Sequence, residues 1–149
     1  MSAAPRATRP RINIVWHKCT DLRLHDHEAL ALAHAEPLPV LHVFVLDPFW
    51  FKPLPLTGLP KTGAVRCKFL HQALEDLRSS LAALGQYLCV LRGPTHECFE
   101  TLCTRYSVAT CFAFSEVCSE EQAVERRVQR VCTAAGIGHP APLTSASPS

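Results

Sequence analysis

Apolar residues gather in four short runs, Ile12–Trp16, Leu38–Leu46, Tyr87–Arg92 and Ala109–Phe114. The second is nearly continuous and rich in β-branched side chains, the pattern of a parallel strand covered on both faces. Between the runs the spacing turns helical. Glu28 to His34 forms a short segment with Asp26 placed as its N-cap, and Leu22 and Leu24 pack beneath the sheet edge. From Ala64 to Leu84, Val65, Phe69, Leu70, Ala73, Leu74, Leu77, Leu81 and Leu84 recur on one face, and Gly85 stops the helix. Thr95 caps a third helix with Cys98, Phe99, Leu102 and Tyr106 inward. Ser119 opens a fourth with the capping-box pattern Ser-x-x-Gln122. Its Glu120 and Glu121 lie early and Arg126, Arg127 and Arg130 later, in keeping with the helix dipole, and Gly136 ends it.

The order is β-α four times over. Right-handed crossovers turn that order into an α/β fold, a Rossmann-like, doubly wound open parallel sheet in three α/β/α layers with four to five strands. The first strand is expected centrally between the second and fourth, with the third beyond the second. Ile14, Val43, Val45, Val90 and Phe112 are the expected core, and His42 a hydrogen-bonded core histidine. The domain is expected over 12–138, after a disordered basic leader at 1–11 and before a disordered Pro/Ser tail at 139–149, whose prolines cannot supply a fifth strand.

Length and composition fit one soluble domain: 149 residues, 48% hydrophobic and 19% charged. A net charge of +2 gives no reason to expect strong nucleic-acid binding. The first twenty residues carry Arg6, Arg9, Arg11 and Lys18 and no acid, a weak organelle-targeting signal beside the plainer reading of a cytoplasmic or nuclear protein. No run approaches the roughly 18 apolar residues of a membrane span. Eight cysteines form no C-x-x-C pair, so they read as reduced, small hydrophobic residues. Asp21, His25, Asp26, His27 and Glu28 crowd one turn without zinc-type spacing, and no metal site is expected.

Three stretches hold candidate chemistry. Pro60-Lys61-Thr62-Gly63 has its Lys-Thr before the glycine, so it is not a P-loop, and no S-x-x-K nucleophile accompanies it. Pro48 to Pro60 is a proline-broken loop with Phe49, Trp50 and Phe51 in a row. Three adjacent aromatics cannot all point inward, which makes them a candidate docking surface. Glu116 directly follows the fourth strand, at the carboxyl edge where open α/β sheets bind ligands. By itself it is also explained as a surface acid near a helix start. No catalytic residue set stands out.

Trp16, then Asp21-Leu22-Arg23-Leu24-His25-Asp26, then Glu28-Ala29-Leu30, resembles the opening motif of the photolyase/cryptochrome family, W-F-R-x-D-L-R-L-x-D-N-x-A-L. This chain has one residue more before Asp21, lacks the usual Phe-Arg, and has His27 in place of the usual Asn. Pro60-Lys61-Thr62-Gly63 with Arg66, then Phe69-Leu70, Leu74 and Asp76-Leu77-Arg78, is similar to the cryptochrome-DASH branch in particular. So is Glu116-x-Cys118-Ser119-Glu120-Glu121 with Val124-Glu125-Arg126. The resemblance covers roughly Ile12 to Ala135 and corresponds to the family's amino-terminal α/β domain.

The resemblance implies an antenna role in which Glu116, with Ser115, Cys118 and Ser119 around it, holds the pterin of 5,10-methenyltetrahydrofolate. Classical folate photolyases have an Asn-Glu pair where this chain has Cys118-Ser119, so their binding mode is not carried over. In full-length relatives FAD, the electron-transfer tryptophans and the DNA-lesion pocket lie in a separate helical domain. This chain alone is therefore expected to bind no FAD, to be no enzyme, and to hold a folate at most weakly. The alternative is an interaction module that docks a partner through Phe49, Trp50 and Phe51: a separate flavin-binding helical domain or another protein. A nucleotide-handling enzyme is the weakest reading, because no glycine-rich turn follows the first strand.

Overall fold

The computed structural model describes residues 8–138. The expected leader therefore lies largely outside the described residues, and the expected tail wholly so. Four parallel strands, β1 (Arg11–His17), β2 (Val40–Leu46), β3 (Leu88–Arg92) and β4 (Ser107–Phe112), form one sheet in the order β3-β2-β1-β4. The α/β sheet and its order match the expectation. Helices α1 (Glu28–Ala35), α2 (Ala64–Ala83), α3 (Thr95–Arg105) and α4 (Ser119–Ala134) connect and cover it.

One face of the sheet is a continuous apolar core. Ile12, Ile14 and Trp16 of β1 meet Val43, Val45 and Cys111 there, beneath Phe99 and Leu102 of α3 and Val124, Val128 and Cys132 of α4. Trp16 and Phe99 pack edge to face at 5.2 Å. The opposite face carries two smaller clusters, Val15, Phe112 and Phe114 under α1, and Phe44 and Leu88 under Leu77 and Leu81 of α2. Leu22 and Leu24 pack against the second of these, as expected. His42 is fully buried on this face and bonds to two other histidines, His17 and His34.

The helix stops are where the glycines place them. Gly85 and Gly136 each adopt φ +71°, and the following amide closes on the carbonyl five residues back, Gln86 on Leu81 and Ile137 on Cys132. The helix starts differ from expectation. Asp26 is itself left-handed (φ +50°), and His27 caps α1, its Nδ1 accepting from Leu30 N at 3.1 Å. Thr95 is the first residue of α3 rather than its cap. Its amide and hydroxyl both donate to Asp47 Oδ2, at 2.9 and 2.7 Å. No capping box forms at Ser119: α4 has no side-chain cap, and Gln122 Nε2 donates instead to Glu116 O.

Burial differs in two places. Val90 is only half-buried, because β3 is the sheet's outer strand. Val65, Phe69 and Leu84 of α2 are 85%, 69% and 65% exposed: the apolar stripe is longer than the sheet beneath it. Beyond α4 the chain returns beside β4, where Gly138 makes a single parallel bridge to Thr110. Any continuation as a fifth strand lies outside the described residues.

Candidate functional site

The carboxyl ends of parallel strands cannot all be closed by their own loops, and ligand clefts of open α/β sheets form there. In this chain a cleft of about 460 Å³ opens at that edge. Trp16, His17 and Lys18 come from the end of β1, and Leu46 and Asp47 from the end of β2. Trp50, Phe51, Lys61, Arg66, Phe69 and three acids, Glu116, Glu120 and Glu121, line the cleft further. The size falls within the usual range for small-molecule sites, about 300–1,000 Å³.

Asp47 fixes the aromatic wall. Its Oδ1 accepts from Phe49 N at 2.9 Å, starting the short 3₁₀ turn Pro48–Phe51, while Oδ2 holds Thr95. The turn divides the aromatics. Trp50 packs on the core, and Phe49 and Phe51 stay 36% and 39% exposed. Thr62 Oγ1 donates to Trp50 O at 2.7 Å, and Lys61 Nζ lies 4.1 Å from the Phe49 ring centre and 5.1 Å from that of Trp50. Lys61 also pairs with Glu120 at 2.6 Å, so the Lys-Thr-Gly stretch ties the aromatic wall to the start of α4.

Glu116 is half-buried beside this wall. Its amide donates to Glu125 Oε1 at 2.8 Å, and its Oε1 accepts from Thr20 Oγ1 at 2.5 Å. Lys18 is the hub underneath. Its ammonium contacts both Glu125 and Phe114 O, and lies 4.4 Å from the centre of the Trp16 ring. Neither Lys18 nor Asp47 stands out in the sequence. A basic residue after a strand and an Asp-Pro turn are common, and only the fold shows that each joins three elements.

Burial also sets protonation near the cleft. It pushes the Asp21 carboxyl up to about 7, an effect reduced by the Lys18 amide and ammonium. It holds His17 down to about 3, with His27 and His42 adding repulsion.

Of the residues singled out from sequence, Glu116, Trp50 and Phe51 share the cleft. Ser115, Cys118, Ser119 and Phe49 do not line it, and Cys118 and Ser119 are exposed at the start of α4.

Residues 13–140 match the DNA photolyase family. The chain is 37% identical over 119 residues to the chloroplastic/mitochondrial cryptochrome DASH of Solanum lycopersicum, across 80% of this chain and 20% of that protein. It is 40% identical over 116 residues to the cryptochrome DASH of Gloeobacter violaceus, across 78% of this chain and 23% of that one. The crystal structure of a Synechocystis cryptochrome superposes with a TM-score of 0.85 at 33% identity, covering 90% of this chain and 27% of its own. The chain thus spans about a fifth to a quarter of these relatives' lengths. Fold and sequence agree over nearly the whole described length, and the chain belongs to the DNA photolyase family.

Proposed function

We propose that this chain is an antenna-type domain whose carboxyl-edge cleft takes a pterin-bearing chromophore of the methenyltetrahydrofolate class. The observation that carries the reading is the meeting of an aromatic wall, Trp50 and Phe51, with the carboxylate of Glu116 on one cleft. A carboxylate accepts paired hydrogen bonds from a 2-amino-pyrimidinone edge, and a flat ring stacks on aromatic side chains. Thr20 orients Glu116 for this role through its hydroxyl. The cleft is open to solvent along Phe51 and Phe69, so binding of the isolated chain is weak, with Kd around micromolar or above (about −8 kcal/mol or less favourable). Flavin binding and light-driven DNA repair belong to relatives that this chain spans only in part, and we do not assign them to it.

The test is titration of the purified chain with 5,10-methenyltetrahydrofolate, followed by folate absorbance and tryptophan quenching. Saturable weak binding is expected, and Glu116→Ala should weaken it by about tenfold or more, the loss of a hydrogen bond to a charged group. Binding unaffected by the substitution would remove Glu116 from the site.

A second reading, docking of a protein partner, has its own observation. Of the aromatic run Phe49, Trp50 and Phe51, Phe49 and Phe51 stay 36% and 39% exposed, and Phe69, on the same cleft as Phe51, is 69% exposed. The partner this reading names is a separate flavin-bearing helical domain, or another protein in its place. Absence of folate binding even near millimolar concentration would favour it.

A further inference from the structure

Beneath the turn that joins β1 to α1, three buried side chains converge. One ligand atom from each of His17, Asp21 and His27 lies within 4.8 Å of the other two, with Asp21 Oδ2 and His27 Nε2 3.7 Å apart. The residues are 0%, 3% and 5% exposed, and none of His17 Nδ1, Asp21 Oδ2 and His27 Nε2 has a partner within hydrogen-bond distance and angle; the Asp21 backbone stands near both rings but satisfies the two conditions for neither. One orphaned buried polar atom is uncommon in a folded protein, and three aimed at a common point call for a shared partner.

We infer that His17 Nδ1, Asp21 Oδ2 and His27 Nε2 form a three-ligand site for a divalent cation of the zinc class, with a fourth position left to water. Two imidazoles and one carboxylate are a zinc-type donor set, unlike the all-oxygen sets of calcium or magnesium. Ligands about 2.0–2.2 Å from a tetrahedral ion are about 3.3 Å apart, so the observed group closes onto an ion with a movement of roughly an ångström or less.

The atoms behind the ligands fit the same assignment. Asp21 Oδ1 is held by Lys18 N at 2.5 Å, which leaves Oδ2 to face the centre. An ion on His17 Nδ1 keeps the proton on Nε2, which lies 3.1 Å from His42 Nδ1. His42 then carries its own proton on Nε2, 3.1 Å from His34 Nε2, and His34 is exposed. A single tautomer series thus runs from the buried centre to the surface, supporting the ligand as such outer partners do in metal sites.

His27 is where the ion competes with the fold. Its Nδ1 accepts from Leu30 N, and ligation through Nε2 moves the ring proton onto Nδ1 and breaks that bond. One lost cap is small against coordination of a divalent ion, so binding is coupled to the first turn of α1.

The test uses the full chain, stripped by chelator and titrated with Co²⁺. We expect one equivalent to give visible d–d bands without a thiolate charge-transfer band, and Zn²⁺ to displace it. His17→Gln and Asp21→Asn should each weaken binding by about a hundredfold or more, and His34→Gln by about tenfold or less. Cys19→Ser with Cys118→Ser should leave it unchanged. If a ligand variant fails to fold, hyperfine-shifted ring protons from two histidines in the wild-type Co²⁺ protein carry the assignment. A thiolate band, bands surviving His17→Gln, or no bands near millimolar metal would overturn the site; the last outcome would leave a proton-sharing cluster in its place.

Discussion

The two faces of the sheet use the same strands to opposite ends. Toward α3 and α4, β1 presents Ile12, Ile14 and Trp16 to one unbroken apolar core. Toward α1 and α2 it presents Asn13, Val15 and His17, and the apolar surface there is split into two clusters. Through the split face run the buried polar groups Asn13, His17, Asp21, His27 and His42. Asn13 Nδ2 reaches Ala33 O and Glu36 Oε2 at the end of α1, and His17 and His42 bond to each other. One face therefore gains from water exclusion alone, while the other depends on polar groups finding partners in a setting where each missed partner is costly.

The largest expected effect probes the apolar face. Phe99 is fully buried against Trp16, so Phe99→Ala removes a large side chain and leaves a cavity. A loss of about 3–5 kcal/mol is expected in urea unfolding, a large share of a domain's total stability. A loss under about 1 kcal/mol would mean that this face is loosely packed and the contrast between the faces is false.

The apolar face was the legible one. Short apolar runs at Ile12–Trp16 and Leu38–Leu46, Phe99 and Leu102 at helical spacing, and the repeated β-α order were enough to place the strands, the order β3-β2-β1-β4 and most of the core. Of the polar seam only His42 was legible, as a hydrogen-bonded core histidine; Asn13 and His17 sit inside or beside an apolar run and their partners arrive from distant stretches. Capping failed for a similar reason. Asp26 is a good N-cap by type, but its left-handed backbone hands the position to His27. Likewise Ser119 leaves its capping box unused, since Gln122 is drawn to Glu116 O. At the candidate site the aromatic run and Glu116 were readable from position alone. Lys18, Asp47 and Thr20 were not, because what they join is decided by the third dimension.

Acidification should separate the faces next. Burial holds His17 down to about 3 and His42 down to about 4, from an ordinary 6.5. Below pH 6.5 the unfolded chain takes up both protons and the folded chain does not, so each histidine lowers stability as pH falls toward its folded value. Asp21 acts the other way. Its folded value of about 7 lies above the ordinary 3.8, so between these limits its contribution to stability grows as pH falls. Two histidines against one carboxyl make the net uptake on unfolding rise from about a quarter of a proton at pH 6.5 to about one at pH 5, or roughly 1.4 kcal/mol lost over that range. For a domain of this size that lowers the melting temperature by roughly 3–6 °C. Circular-dichroism melts of chelator-treated protein at the two pH values measure it. A flat or rising melting temperature on acidification would mean that the seam is not held neutral.

The smallest effect is expected where the two faces differ most in coverage. Helical spacing puts Val65 and Phe69 on the same stripe as Leu77 and Leu81, yet the last two are 2% and 1% exposed and the first two 85% and 69%. Periodicity identifies the side of a helix able to be buried, but the neighbouring surface decides whether burial occurs. The sheet ends beneath the second half of α2, and its first half stands over the rim of the cleft. Phe69→Ala should therefore change unfolding free energy by no more than about 0.5 kcal/mol, against about 2–5 kcal/mol for Leu77→Ala in the same helix. The pair of variants, unfolded side by side in urea, isolates coverage from residue type and helix propensity. A loss above about 1.5 kcal/mol for Phe69→Ala would mean that something packs on this half of α2 in solution. Self-association would then be the first explanation to test, since it makes the loss depend on protein concentration whereas packing within one chain does not.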